Sequence, residues 1–210
     1  MSNFKVQGNA SGAGTFTLQS PNIAGNLSLT MPSADGSNGQ FIQTNGSGVL
    51  SFASVNPSGV IQVKSTTKLD GFTTTSNTLV DITGLSISIT PTSASNKILV
   101  IATLNAAQSD LADFPIIQLV RNSTAIATST ASGTINSTLY YSNYNFSQSP
   151  MGVTTFSLAT NFLDSPATTS ATTYKLQVAR TSVGTVCINR RGDGSNNGTI
   201  STITVMEVTP

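Results

Sequence analysis

Catalysis needs nucleophiles, titratable groups or metal ligands, and this chain is poor in all three. It has no histidine and one cysteine, Cys187. Without imidazole there is no usual general base, no His-based triad and no histidine zinc site. One thiol rules out thiolate clusters and an internal disulfide. Cys187 stands in Thr185-Val186-Cys187-Ile188-Asn189, a strand pattern to which no cationic activator can be assigned. It reads as a buried, inert thiol. Asp110 and Asp113 are close enough in sequence to suggest the carboxylate pair of a glycoside hydrolase. They lie in AAQSDLADF beside Phe114-Pro115, where nothing implies a cleft, and read as solvated loop acids. Arg191-Gly192-Asp193 spells an adhesion tripeptide, but its setting from Arg190 to Gly198 is dense in turn residues and reads as a turn. Asp193, Asn196 and Asn197 could offer oxygens to Ca²⁺, yet one acid without acidic alternation is a poor site for a hard cation. The expectation is no enzyme, no metal and no cofactor.

The most suggestive binding pattern is Leu139-Tyr140-Tyr141-Ser142-Asn143-Tyr144-Asn145-Phe146. On a strand, Tyr140, Ser142, Tyr144 and Phe146 share one face, and Tyr141, Asn143 and Asn145 the other. Tyrosine rings pack on the apolar face of a sugar while amides bond its hydroxyls. Tyr140, Tyr141, Asn143, Tyr144 and Asn145 are therefore candidate contacts for a sugar or a host surface. The competing reading is an aromatic face that fills a core. The absence of Trp, a common sugar-stacking residue, weakens the lectin reading.

These residues sit in a chain built for strands. Charged residues are 8% of its 210 residues, against about 25% in ordinary domains. Ser, Thr, Asn and Gln supply the polarity instead, and Thr is β-branched. Apolar residues, 38% of the chain, fall in short regular runs, unlike a disordered tract. The net charge of +1 and the lack of a basic stripe speak against nucleic acid. No run approaches the ~20 apolar residues of a membrane helix. The start, MSNFKVQGNASG, has no apolar signal core, so the expectation is synthesis in a cytoplasm without a cleaved export signal.

Two segments are expected. Residues 1–56 carry short alternating runs such as Asn26–Thr30, Gln40–Ile42 and Val49–Phe52, separated by glycine turns. Each run offers two or three inward side chains, too few to offset chain entropy alone. Sharing a core with identical copies is the physical way out, which points to a homotrimer. Residues 57–210 carry about ten strand candidates, including Thr78–Ile82, Leu85–Thr90, Lys97–Leu104 and Ser201–Val208, and predict a jelly-roll-like β-sandwich. Asn122-Ser123 is placed at the tip of a tight hairpin. Ala106–Phe114 is the one short helix candidate. The last strand, apolar on both faces towards its end, predicts a central strand or one at a subunit interface.

The N-terminal segment resembles a repeat common in phage tail fibres and other virion proteins. The carrying residues are Thr15–Pro21, Asn26–Pro32, Asp35–Gln40 and Gln43–Phe52, a strand ending in Pro, an Asp-Gly turn and a Thr-Asn-Gly-x-Gly-x-Leu hairpin. The second segment is similar to a C-terminal domain of structural proteins from phages of aquatic bacteria, cyanobacteria included. It matches at Leu85–Pro91, Asn96–Val100, Phe162–Pro166 and Ser201–Val208. The resemblance implies a tailed-bacteriophage virion protein with a trimeric jelly roll, similar to the tumour-necrosis-factor and complement-head folds. It implies a tail-fibre or surface-fibre subunit that attaches to host polysaccharide. A capsid decoration protein is the alternative, and a polysaccharide-degrading spike the remote one. The implied partners are two further copies, other virion proteins and host cell-surface polysaccharide.

Overall fold

The computed structural model describes residues 25–26, 28–55, 59–109, 114–130, 137–140, 155–194 and 198–210. The chain divides into two compact units, Met1–Asn56 and Pro57–Pro210. In the first, β1 (Gln40–Thr44) and β2 (Leu50–Ser54) form an antiparallel hairpin with Thr44 opposite Leu50. The Asn45 side-chain oxygen accepts from the amides of Ser47 (2.9 Å) and Val49 (3.2 Å), which closes the turn. Gly48 has φ +82°, and a Cβ there would meet the Ser28 carbonyl oxygen at 2.3 Å, so no other residue fits. Thr30 docks beside Val49 through its amide to the Gly48 carbonyl (2.8 Å) and its carbonyl from the Leu50 amide (2.8 Å).

The second unit is an all-β sandwich. One sheet holds β3 (Val60–Lys68), β4 (Phe72–Thr74), β6 (Lys97–Gln108), β10 (Phe156–Asp164), β12 (Val186–Ile188) and β13 (Ser201–Val208). The other holds β5 (Val80–Ile89), β7 (Pro115–Arg121), β8 (Thr124–Ile126), β9 (Leu139–Tyr140) and β11 (Thr172–Arg180). Ala106 pairs with Phe156 on one edge of β6 and Ile188 on the other. Hence β12 and β13 lie end to end along one edge of β6, and β4 and β3 lie end to end beside them. The first sheet is four strands wide, in the order β3/β4, β13/β12, β6, β10. The second runs β5, β11, β7, β8. Successive strands β5, β6 and β7 alternate between sheets, and β11 and β13 return between earlier strands, which is a jelly-roll-like winding.

Alternation drives the layers together. Leu85, Ile87 and Ile89 point inward from β5, while Ser86 and Ser88 are exposed. They meet Ile98, Val100, Ala102 and Leu104 of β6, Leu176 and Val178 of β11, and Ile203 and Val205 of β13 in one core. Each fully buried aliphatic side chain stabilises the fold by about 1.5–3 kcal/mol. The last strand is central, between β3 and β6, as its two-sided apolar pattern predicts. The Asn122-Ser123 hairpin also forms, with Asn122 at φ 55°.

Three expectations need correction. The helix candidate at Ala106–Phe114 begins instead as strand, because Ala106–Gln108 pair with β12; residues 110–113 lie outside the described residues. Lateral hydrogen bonding overrides the helix preference of alanine here. The separate candidates Thr78–Ile82 and Leu85–Thr90 are one strand, β5, with a bulge at Gly84 (φ +85°) opposite a register shift in β11. The short β4 was not foreseen, being three residues long.

The break between β12 and β13 is sealed by Asn189, 2% exposed and at φ 58°. Its Nδ2 donates to the carbonyls of Lys68 (2.8 Å) and Asp70 (3.2 Å), and its Oδ1 accepts from Ser201 Oγ (2.5 Å). One amide thus joins the broken strand to the break in its neighbour between β3 and β4. Asn189→Ala orphans these buried groups and adds a methyl residue at positive φ. Denaturant titration is expected to show a loss of about 2 kcal/mol.

Candidate functional site

Two interior carboxylates, Asp164 and Glu207, are held by structural donors. Asp164, at the end of β10, accepts from Arg121 Nη1 on both oxygens (2.8 and 2.9 Å) and from the Tyr174 hydroxyl (2.6 Å). Arg121 ends β7 and Tyr174 lies in β11, so this cluster ties one sheet to the other. Burial, reinforced by the Asp164 carboxylate, pushes the Tyr174 hydroxyl far up, which keeps it a proton donor. Glu207, 0% exposed, accepts from Gln62 Nε2 (2.5 Å), the Thr92 amide and hydroxyl (2.7 Å each) and Asn96 Nδ2 (2.6 Å). Burial raises its pKa, but these hydrogen bonds outweigh burial and hold the carboxyl at about 2. A carboxylate whose lone pairs are all taken by structural donors is not free to act as a general base.

The remaining candidates take clear places. Cys187 is buried, and burial pushes its thiol up despite the opposing field of Arg190, which leaves it protonated and unreactive. In the adhesion-like tripeptide, Arg191 Nη2 pairs with the carboxylate of Asp193 at 2.8 Å. A Cβ on Gly192 would sit 2.3 Å from the Gln108 carbonyl oxygen, so this turn is packed down against the end of β6. Its two charges are paired with each other. Tyr140 lies in β9 with its backbone opposite Ile116. Tyr141, Asn143, Tyr144 and Asn145 lie outside the described residues, as do Asp110, Asp113, Asn196 and Asn197. Among the described residues no group of three His, Cys, Asp or Glu could hold a metal ion. No helix among them is long and apolar enough to cross a membrane.

The feature with functional content is apolar and lies in the first unit. None of its described residues is buried. Leu29, Met31, Phe41, Ile42, Val49 and Val55 are all exposed, between 43% and 67%. Phe52 is half-buried, and its ring lies against the backbone of Gly36, where a Cβ would meet it at 2.6 Å. Beside it an open groove of ≈ 520 Å³ runs between Thr30–Gly36 and the Val49–Phe52 strand. A two-stranded hairpin with this much apolar surface in water is marginal by itself. The short alternating runs were legible in the sequence, and so was their inability to close a core.

No protein-family model matches the chain, and no curated protein matches it. Among solved structures it is similar to that of the infectious bursal disease virus Gx strain. That pair has 14% identity and a TM-score of 0.36 over 77% of this chain and 44% of that one. The VP2 subviral particle of the same virus matches at 12% identity and a TM-score of 0.37, covering 76% and 40% of the two chains. Its derived T=1 particles match at 13% and 0.37, covering 77% and 38%. The chain spans less than half the length of these structures. Overlaps this slight carry neither fold nor function from those particles to this chain.

Proposed function

We propose that this protein is a non-enzymatic structural subunit of a bacteriophage virion, a homotrimeric fibre-type protein that contributes to attachment to the host surface. The observation that carries the oligomeric part is the first unit: six large exposed hydrophobics and no buried residue among those described. Identical copies of the segment supply the missing core to one another, and its glycines and small side chains let three backbones come close. The virion assignment rests on the resemblance of Asn26–Pro32, Asp35–Gln40 and Gln43–Phe52 to the fibre repeat. The sandwich then works by geometry, as a rigid outward body. Its polar interior supports this reading, because the carboxylates of Asp164 and Glu207 are committed to holding strands together. Host polysaccharide would be met by Tyr140, Tyr141, Asn143, Tyr144 and Asn145.

Antibody–gold labelling of intact virions in the electron microscope tests this assignment. Label on the tail or its fibres is the expected result. Label spread over the head overturns attachment in favour of capsid decoration, and particles lacking the protein would then lose stability.

A further inference from the structure

The two sheets of the sandwich present different outer faces. On the β5/β11 sheet the outward residues are adapted to water. Lys175 Nζ pairs with Asp81 (2.8 Å), Gln177 Nε2 donates to Asp81 (2.7 Å), and Ser88 bonds Thr173 (2.6 Å). The first two bonds hold the Asp81 carboxyl below the usual carboxylate range. The other sheet is different. Its register places Val63, Met206, Leu99 and Leu163 side by side in one row across all four strands. Val63 is 54% exposed and Leu163 48%. The next row adds Ile101, 38% exposed, among Ser, Thr and Asn. Among the described residues of these four strands, Lys97, at the strand end, is the one charged residue on this face.

We infer that this face, centred on the Val63–Met206–Leu99–Leu163 row, is the surface on which copies of the chain meet. The inference rests on the homotrimer reading above and names where in the sandwich the contact lies. Charge selects the occupant. A face that approaches its own copies around a symmetry axis must not bury like charges, and this one carries none along its apolar row. Size agrees. With the third row, Thr67, Thr202, Thr103 and Ala159, four strands about 4.8 Å apart and three rows each about 6.8 Å deep make a face on the order of 400 Å². That is about half of the ~800 Å² per partner of a standard interface. The remainder falls to the N-terminal hairpin, whose exposed hydrophobics need cover for the same reason.

Cysteine labelling of the full chain tests the inference, since the native Cys187 is buried. Leu163→Cys reports on the proposed interface, and Thr83→Cys on the exposed side of the other sheet. Each rate with a soluble maleimide is divided by that of the same variant in denaturant. The expected result is labelling at Leu163→Cys at least about tenfold slower than at Thr83→Cys, with the difference lost on dilution. Equal rates in a sample that sediments as a trimer overturn the face while the homotrimer reading stands. Equal rates in a monomer overturn both. Protection that appears only when host polysaccharide is added assigns the face to another occupant and also overturns the inference.

Discussion

Asp164→Ala is expected to lower the unfolding free energy by about 3–5 kcal/mol, read as a shift of the denaturant midpoint at unchanged slope. The Asp164 side chain is 7% exposed and serves two donors from the opposite sheet. Its removal leaves the buried Tyr174 hydroxyl without its acceptor and the partly buried Arg121 Nη1 with only the Ser165 carbonyl (3.3 Å) in place of a carboxylate. Tyr174→Phe is the informative companion. It removes one donor and leaves the Arg121–Asp164 pair intact, so its cost should be about 1–2 kcal/mol. A similar loss in the two variants would mean that the Tyr174–Asp164 hydrogen bond, and not the Arg121–Asp164 pair, carries the link between the sheets.

Glu207→Gln should be nearly as costly, about 3 kcal/mol at neutral pH, because an amide cannot accept the four donors that converge on the carboxylate. The effect depends on pH in a defined direction. The folded-state pKa is depressed from 4.5 to about 2. The stabilisation it contributes is therefore complete above pH ~4.5 and is lost as pH falls towards 2, about 3 kcal/mol in all at 1.36 kcal/mol per unit. Urea titrations of the wild type between pH 6 and pH 2 should show that decline, and Glu207→Gln should be flatter over the same window. Parallel curves would show that another group governs acid sensitivity.

Much of the sandwich is written in local alternation. Leu85, Ile87 and Ile89 announce an inward face, and Asn122-Ser123 announces a hairpin, because each depends on neighbours a few residues away. The strand breaks are less visible. Nothing in Asn189 by itself says that its side chain will reach Lys68 and Asp70, more than a hundred residues earlier in the chain. The buried clusters are unreadable for the same reason. Arg121 and Asp164 are 43 residues apart, Asn96 and Glu207 111, and Gln62 and Glu207 145. The helix-forming alanines at 106–107 misled because strand pairing, a non-local effect, decides their state. The candidate contact surface divides likewise. The weakness of the N-terminal segment was legible in its short runs. The apolar row across β3, β13, β6 and β10 was not, because it exists only once the register aligns four distant residues.

On this reading the chain completes its fold by associating in threes. Sedimentation equilibrium of the full-length protein over a range of concentrations tests it most directly. The expected mass is three times the 21.6 kDa of one chain, with Phe41→Lys in the exposed hairpin shifting that equilibrium towards the monomer. A stable 21.6 kDa species at every concentration, folded and with its N-terminal hairpin intact, would contradict it.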